Sequence, residues 1–177
     1  MKNKYIFLDR DGTLIYDIPY LRDPNRIELL ENATKGLIYL RNLGFRFGII
    51  TNQSGIARGL VTIDEVETIN SYLCTLLGKF DLFFDFVYLC PHVPMANCQC
   101  RKPKVQMGVQ AIEKFNVDVS TSFMIGDKDS DIEFGARLNL GTVRIESHYP
   151  CNFSSTYTAV DILQAALQIE YFNERGK

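Results

Sequence analysis

The chain has 177 residues, 46% of them apolar and 23% charged, with 19 basic against 21 acidic side chains and a formal charge of −2. A chain of this size buries roughly 70% of its unfolded surface and needs no disulfide staples, so it suits one domain and is too short for two full ones. Its charge balance disfavours a protein held by nucleic-acid phosphates, and no apolar run reaches the ~18 residues of a membrane span.

Short apolar runs alternate with helix-period segments, the pattern of βα units feeding a parallel sheet covered on both faces. The fold class read from this is α/β. The first strand runs from Tyr5 to Leu8, directly after Lys2-Asn3-Lys4 and with no signal-peptide core ahead of it, so the expected compartment is the cytoplasm. A helix follows from Ala33 to Leu43 and stops at Gly44. Strands are expected at Phe45 to Ile50, Phe86 to Cys90, Ser122 to Ile125 and Thr142 to Ile145. Between them lie a helix opened by a Thr62/Glu65 capping box, with Ile63, Val66, Ile69, Leu73 and Leu76 inward, then helices at Val105 to Phe115 and Ser130 to Asn139. A last helix is expected from Ala159 to Phe172. Residues 10–50 hold one helix and leave no room for an inserted cap domain, so residues 1–177 read as a single open-sited domain shaped by its loops.

Polar clusters fall at the ends of these strands. Asp9, Thr51, Cys90 and Gly126-Asp127 each close or follow a strand, and open parallel sheets bind ligands beyond those carboxyl ends. Asp9-Arg10-Asp11-Gly12-Thr13 alone also fits a turn or part of a calcium loop, but the apolar Leu14-Ile15 breaks the EF-hand spacing. Asp129 and Asp131 suit a helix start, where the dipole favours acids. Asp127 is different: beside Asp9 it would repel unless a hard cation joined the two, and oxygen ligands suit Mg2+. Thr51-Asn52-Gln53-Ser54 supplies hydroxyl and amide donors for phosphate oxygens, and Arg101-Lys102-Pro103-Lys104 supplies cations. Arg58 could reach a second anionic group on the substrate or be a solvated loop cation. These are the parts that move a phosphoryl group, where positioning and charge neutralisation dominate.

Three of the five cysteines crowd around one histidine: Cys90-Pro91-His92, then Cys98-Gln99-Cys100. This Cys3His set fits a closed tetrahedral Zn2+ site, structural because no position is left for water. Cys100 abuts Arg101 and Lys102, so the clamp would fix where those cations point. Cys74 reads as a packed thiol, and His148, beside Tyr149 and Pro150, as a structural loop residue.

Asp-x-Asp-Gly-Thr, Thr-Asn-Gln, Arg-Lys-Pro and Gly-Asp-x-x-x-Asp, in that order across nearly the whole chain, resemble the four motifs of the haloacid dehalogenase superfamily of phosphatases. The resemblance implies a Rossmann-like fold and Asp9 as nucleophile of a phospho-aspartyl intermediate. It implies Asp11 as acid and then base, and Thr51 as a phosphate ligand. Lys102 would neutralise nucleophile and phosphate, and Asp127 would bind Mg2+ with Asp9 and the Asp11 carbonyl; Asp131 would stand behind them. Asn52, Gln53, Ser54, Arg58, Arg101 and Lys128 complete the expected substrate-binding set. The Cys/His loop is similar to the small branch that holds heptose bisphosphate phosphatases and histidinol-phosphatases. Thr51 through Gly59 and Gly126-Asp127-Lys128 resemble the heptose enzymes, whereas the short Cys-x-His-x5-Cys-x-Cys loop and Val105-Gln106-Met107 after Arg-Lys-Pro-Lys resemble the histidinol enzymes. The balance favours a heptose bisphosphate, with histidinol phosphate as the alternative. Polynucleotide 3′-phosphatases and a non-catalytic zinc scaffold are the weaker readings. The expected partner is a phosphorylated small-molecule substrate, with no nucleic acid and no membrane, and the chain is expected to be a monomer.

Overall fold

The computed structural model describes residues 2–175, with side chains described as far as residue 172. Six parallel strands form one sheet: β1 (Tyr5–Leu8), β2 (Arg46–Asn52), β3 (Phe84–Cys90), β4 (Phe123–Gly126), β5 (Gly141–Ile145) and β6 (Tyr157–Ala159), in the order β3-β2-β1-β4-β5-β6. Among the described residues five α-helices cover it: α1 (Ala33–Asn42), α2 (Ile63–Gly78), α3 (Gln106–Phe115), α4 (Asp129–Arg137) and α5 (Ile162–Arg175).

Side chains alternate along β1, so the strand feeds two cores. Ile6 and Leu8 pack with Leu37 and Leu40 of α1, Ile69 and Leu73 of α2, and Ala165 and Ile169 of α5. Tyr5 and Phe7 face the other way, onto Met107 and Ala111 of α3 and Phe134 of α4. Every one of these residues is buried. Right-handed crossovers explain the division: the chain moves outward from β1 to β3 with helices on one face, then returns across β1 to β4 with helices on the other. The reversal between β1 and β4 is the switch point of the sheet, where strand ends part and leave a crevice.

The capping box at α2 forms as the sequence indicates: Glu65 N donates to Thr62 Oγ1 at 3.1 Å and Thr62 N donates to Glu65 Oε2 at 2.7 Å. The inward face of α2 is Val66, Ile69, Leu73 and Leu77; Ile63 is exposed and Leu76 only half-buried, a shift of the stripe by one position at its C-terminal end. β6 is absent from the sequence reading, which begins a helix at Ala159. The chain instead spends Tyr157–Ala159 on the sheet edge, and α5 starts at Ile162 after Asp161, whose Oδ1 accepts from Gln164 N at 2.8 Å. Between β1 and α1 lies only a 3-10 turn at Pro24–Arg26, with no inserted domain among the described residues. No helix among the described residues is long and apolar enough to cross a membrane.

Candidate active site

Asp9 leaves β1 and Asp127 leaves β4, so the two carboxylates stand on either side of the switch point. With Asp131 they form a buried group whose oxygens lie within 4.8 Å of one another. Lys102 reaches into this group from the turn before α3. Its Nζ lies 2.8 Å from Asp9 Oδ1 and 2.6 Å from Asp131 Oδ1, and donates to the Ile50 carbonyl at 2.6 Å. Burial alone would lower the Lys102 pKa, but the charges of Asp131 and Asp9 outweigh it and hold the ammonium protonated. Asp131 also accepts from Lys128 N at 3.0 Å, so its carboxylate is committed to holding Lys102 and opening α4.

Asp127 has no such company. Its Oδ1 is buried without a hydrogen-bond partner, and burial, then the Asp9 charge, push its carboxyl up to about 7. A buried, unpartnered carboxylate beside a second one is a costly arrangement that a divalent cation relieves, and the all-oxygen donor set fits a hard ion. Gly12 lets the loop after β1 approach it: the backbone there has φ +82°, and a Cβ would sit 2.4 Å from Asp127 Oδ2. Both conditions call for glycine.

Asp11 is held apart from that group. Arg10 forks onto it, with Nε donating to Oδ2 at 3.1 Å and Nη2 to Oδ1 at 3.0 Å, while Gln53 Nε2 donates to Oδ2 at 2.8 Å. Burial raises the Asp11 pKa against the opposing pull of Arg10, with Asp9 adding to the rise. Such a carboxyl is suited to giving and taking a proton. Gln53 Nε2 also donates to the buried Thr51 Oγ1 at 2.8 Å.

Asn52 has a different task from the one its motif suggests. Its amide is spent on the backbone of Lys102, accepting from Lys102 N at 3.1 Å and donating to Lys102 O at 3.2 Å. It therefore fixes the lysine's turn to the end of β2. Ser54 joins Asp11 and Gln53 in lining a cleft of about 460 Å3, which continues past Asp17, Tyr20, Lys128, His148 and Tyr149. Lys128 Nζ sits 3.2 Å from Asp17 Oδ2 and 4.7 Å from the Tyr149 ring centre. Arg58 is exposed and is not among the residues lining the cleft. Arg101 is drawn toward the Cys/His loop, its Nη1 donating to His92 O at 3.1 Å. His148, which the sequence presents as a structural loop residue, and its neighbour Tyr149 lie on the cleft wall; their loop carries no motif that marks it.

The second cluster is Cys90, His92, Cys98 and Cys100. Cys90 Sγ lies 3.1 Å from Cys100 Sγ and 3.6 Å from Cys98 Sγ and His92 Nδ1, and His92 Nδ1 lies 3.3 Å from Cys100 Sγ. A tetrahedral Zn2+ spaces such ligand atoms about 3.5–3.8 Å apart, so four sulfur and nitrogen donors already converge to nearly that geometry. The loop is tied to the site by Gln53 N donating to Cys90 O at 2.7 Å and Ala57 N to Pro91 O at 3.1 Å.

A doubly covered parallel sheet with paired carboxylates and a buried lysine at its switch point defines a hydrolase working on phosphate esters. The family model of haloacid dehalogenase-like hydrolases matches residues 19–139, and the chain belongs to that family. It is 41% identical over 157 residues to a D-glycero-D-manno-heptose-1,7-bisphosphate 7-phosphatase of Chlorobaculum tepidum, covering 81% of this chain and 79% of that one. It is 35% identical over 144 residues to the D-glycero-beta-D-manno-heptose-1,7-bisphosphate 7-phosphatase of Salmonella typhi, covering 77% of each. Among solved structures, the D,D-heptose 1.7-bisphosphate phosphatase from B. bronchiseptica, complexed with magnesium and phosphate, shares the fold with a TM-score of 0.83 at 24% identity, over 96% of this chain and 99% of that one. The chain is a phosphatase.

Proposed function

We propose that this chain removes the 7-phosphate of D-glycero-D-manno-heptose 1,7-bisphosphate by passing the phosphoryl group through Asp9. The observation that carries the reading is the Asp9 carboxylate held at the switch point, with Lys102 on one oxygen and the unpartnered Asp127 beside it. The names of relatives at 35–41% identity support the substrate.

An Asp9 oxygen attacks phosphorus while the bond to the sugar oxygen breaks, and Asp11 gives that oxygen its proton. Asp11 then takes a proton from water as the water oxygen attacks the aspartyl phosphate, freeing Asp9 and inorganic phosphate. Thr51 binds phosphate, and Lys102 offsets negative charge on Asp9 and on the transferred group. Asp9, Asp127 and the Asp11 carbonyl would hold Mg2+, which, when bound, supplies neutralising charge to the phosphate oxygens. Cys90, His92, Cys98 and Cys100 would hold Zn2+ as a closed clamp on the loop ahead of Lys102. Arg58, exposed and outside the cleft, is not carried into this reading. The remaining assignments, Gln53, Ser54, Arg101 and Lys128 to the substrate, belong to it. So do a monomer, whose site is built by one chain, and the cytoplasm, which suits five cysteines that form no disulfide.

The test is phosphate release with Mg2+ on both anomers of the heptose bisphosphate, histidinol phosphate and a 3′-phosphorylated oligonucleotide. Preferred turnover of the heptose bisphosphate, abolished by Asp9→Ala, is the expected result. Preference for histidinol phosphate, which the short Cys/His loop resembles, would reverse the substrate; a folded, metal-loaded chain that hydrolyses none would overturn the reaction.

A further inference from the structure

The loop between β5 and β6 has no regular structure, yet it is fastened at one point by a buried charge. Arg144, on β5 opposite Gly126 of β4, has a side chain only 3% exposed. Its Nη1 donates to Asp129 Oδ1 at 2.6 Å, and its Nη2 donates to the carbonyls of Pro150 at 2.7 Å and Tyr149 at 3.4 Å. Asp129 in turn accepts from Asn152 N at 3.1 Å and Asn152 Nδ2 at 3.0 Å. Ser147 Oγ donates to the carbonyl of Asp127 at 3.0 Å. Burying a guanidinium is costly unless its donors are used, and here the guanidinium clamps one short stretch of loop against the start of α4.

What the clamp presents is Tyr149. Its ring lies beside Lys128, and its hydroxyl donates to Asp17 Oδ2 at 3.1 Å, the same oxygen that Lys128 approaches. Three segments, from after β1, β4 and β5, thus meet on the wall of the cleft. The same cleft is lined by Asp11, Gln53 and Ser54, so it opens beside the residue that would protonate the leaving oxygen. We propose that Tyr149 is a specificity-determining residue that contacts the substrate beyond the transferred phosphate, and that Arg144, buried and out of the cleft, is the residue that positions it. The ring also packs on His148, centroids 4.2 Å apart, so what it offers is its hydroxyl end beside a carboxylate and an ammonium group, which suits a polyhydroxylated, anionic distal part. The proposal rests on the functional reading above.

The test compares kcat and KM for heptose bisphosphate with those for acetyl phosphate, which has no distal part to contact. In Tyr149→Ala and Arg144→Met the ratio of the two kcat/KM values should fall about tenfold, carried by KM for the sugar substrate. Arg144→Lys, keeping the charge but not the fork, should recover part of it. Tyr149→Ala alters only a half-exposed loop position and keeps the test open should Arg144→Met fail to fold. A ratio that does not move, or equal losses on both substrates, overturns the proposal while leaving the phosphatase reading intact. A wild type inactive on the heptose bisphosphate overturns the functional reading and this one with it.

Discussion

At the scale of single residues, Lys102 holds two jobs that mutation separates. It balances a buried trio of carboxylates and it sits on Asp9. Breaking a buried pair by removing one partner costs about 3–5 kcal/mol, because the remaining charge is left uncompensated. Losing an electrostatic contact to the reacting group costs on the order of 10²–10³ in kcat. Lys102→Met should therefore lose both stability and activity. Adding Asp131→Asn removes one of the stranded charges, so the double variant should regain stability in urea melts without regaining kcat. Recovery of both together would mean that Lys102 acts only by holding the fold. Asp9, Asp11, Lys102 and Asp127 were legible in the sequence because their spacing places each at a strand or turn end. The commitment of the Asn52 amide to the Lys102 backbone was not, since a motif names a residue type and not which way its side chain turns.

At the scale of elements, apolar periodicity, and a cap such as Thr62, mark the strands and helices in the sequence to within a few residues. β6 escaped because three residues, Tyr157–Ala159, carry too little pattern, and its place on the edge is set by pairing with Val143–Ile145. The Cys/His loop holds only the 3-10 turn Pro94–Ala96, brings four donors together and is joined to Gln53 and Ala57 by backbone hydrogen bonds. With Zn2+ in the proposed Cys/His site, its chelation should loosen the turn that carries Lys102 as well as lower the melting temperature. The expected observation is a raised KM and a fall of several degrees, with zinc content followed by elemental analysis; unchanged kinetics in verified zinc-free protein would refute the coupling.

At the amino ends of β1, β2 and β3, opposite the strand ends that carry the site, a second ion pair joins the strands. Asp85 on β3 accepts from Arg46 Nε and Nη2, both at 2.7 Å, and from Tyr5 Oη at 2.7 Å, joining β1, β2 and β3. Burial pushes its pKa up, but the Arg46 fork and the Tyr5 hydroxyl together hold it below the ordinary carboxylate range. A carboxyl lowered on folding contributes stability that is present above about pH 3.9 and lost as pH falls through the folded value. Arg46 is half exposed, so solvent limits the contribution to about 1 kcal/mol or less. Asp85→Asn should be less stable than the parent at pH 7 by about that amount, and the two melts should converge in strong acid. A gap that persists there would assign the loss to packing.

At the scale of the whole molecule, the sheet is divided at the point where it binds. β1 with β2 and β3 supplies Asp9, Thr51 and Gln53, while β4 with β5 supplies Asp127 and the Arg144 anchor, and the two halves meet along the β1–β4 ladder. A ligand that spans Asp9 and Asp127 binds across that seam and so only to the assembled native state. Mass action then adds about 2.7 kcal/mol of stability at 100 times the dissociation constant, or about 5–10 °C in melting temperature for a chain of this length. Mg2+ with inorganic phosphate should raise the melting temperature by that order, in one cooperative transition if residues 1–177 fold as a single unit. Asp127→Asn should abolish the Mg2+-dependent part of the rise, because it removes the carboxylate from one side of the seam while sparing the cores on both faces. Two resolved transitions in calorimetry, only one of them moved by ligand, would show instead that the halves unfold separately and that the site does not hold them together.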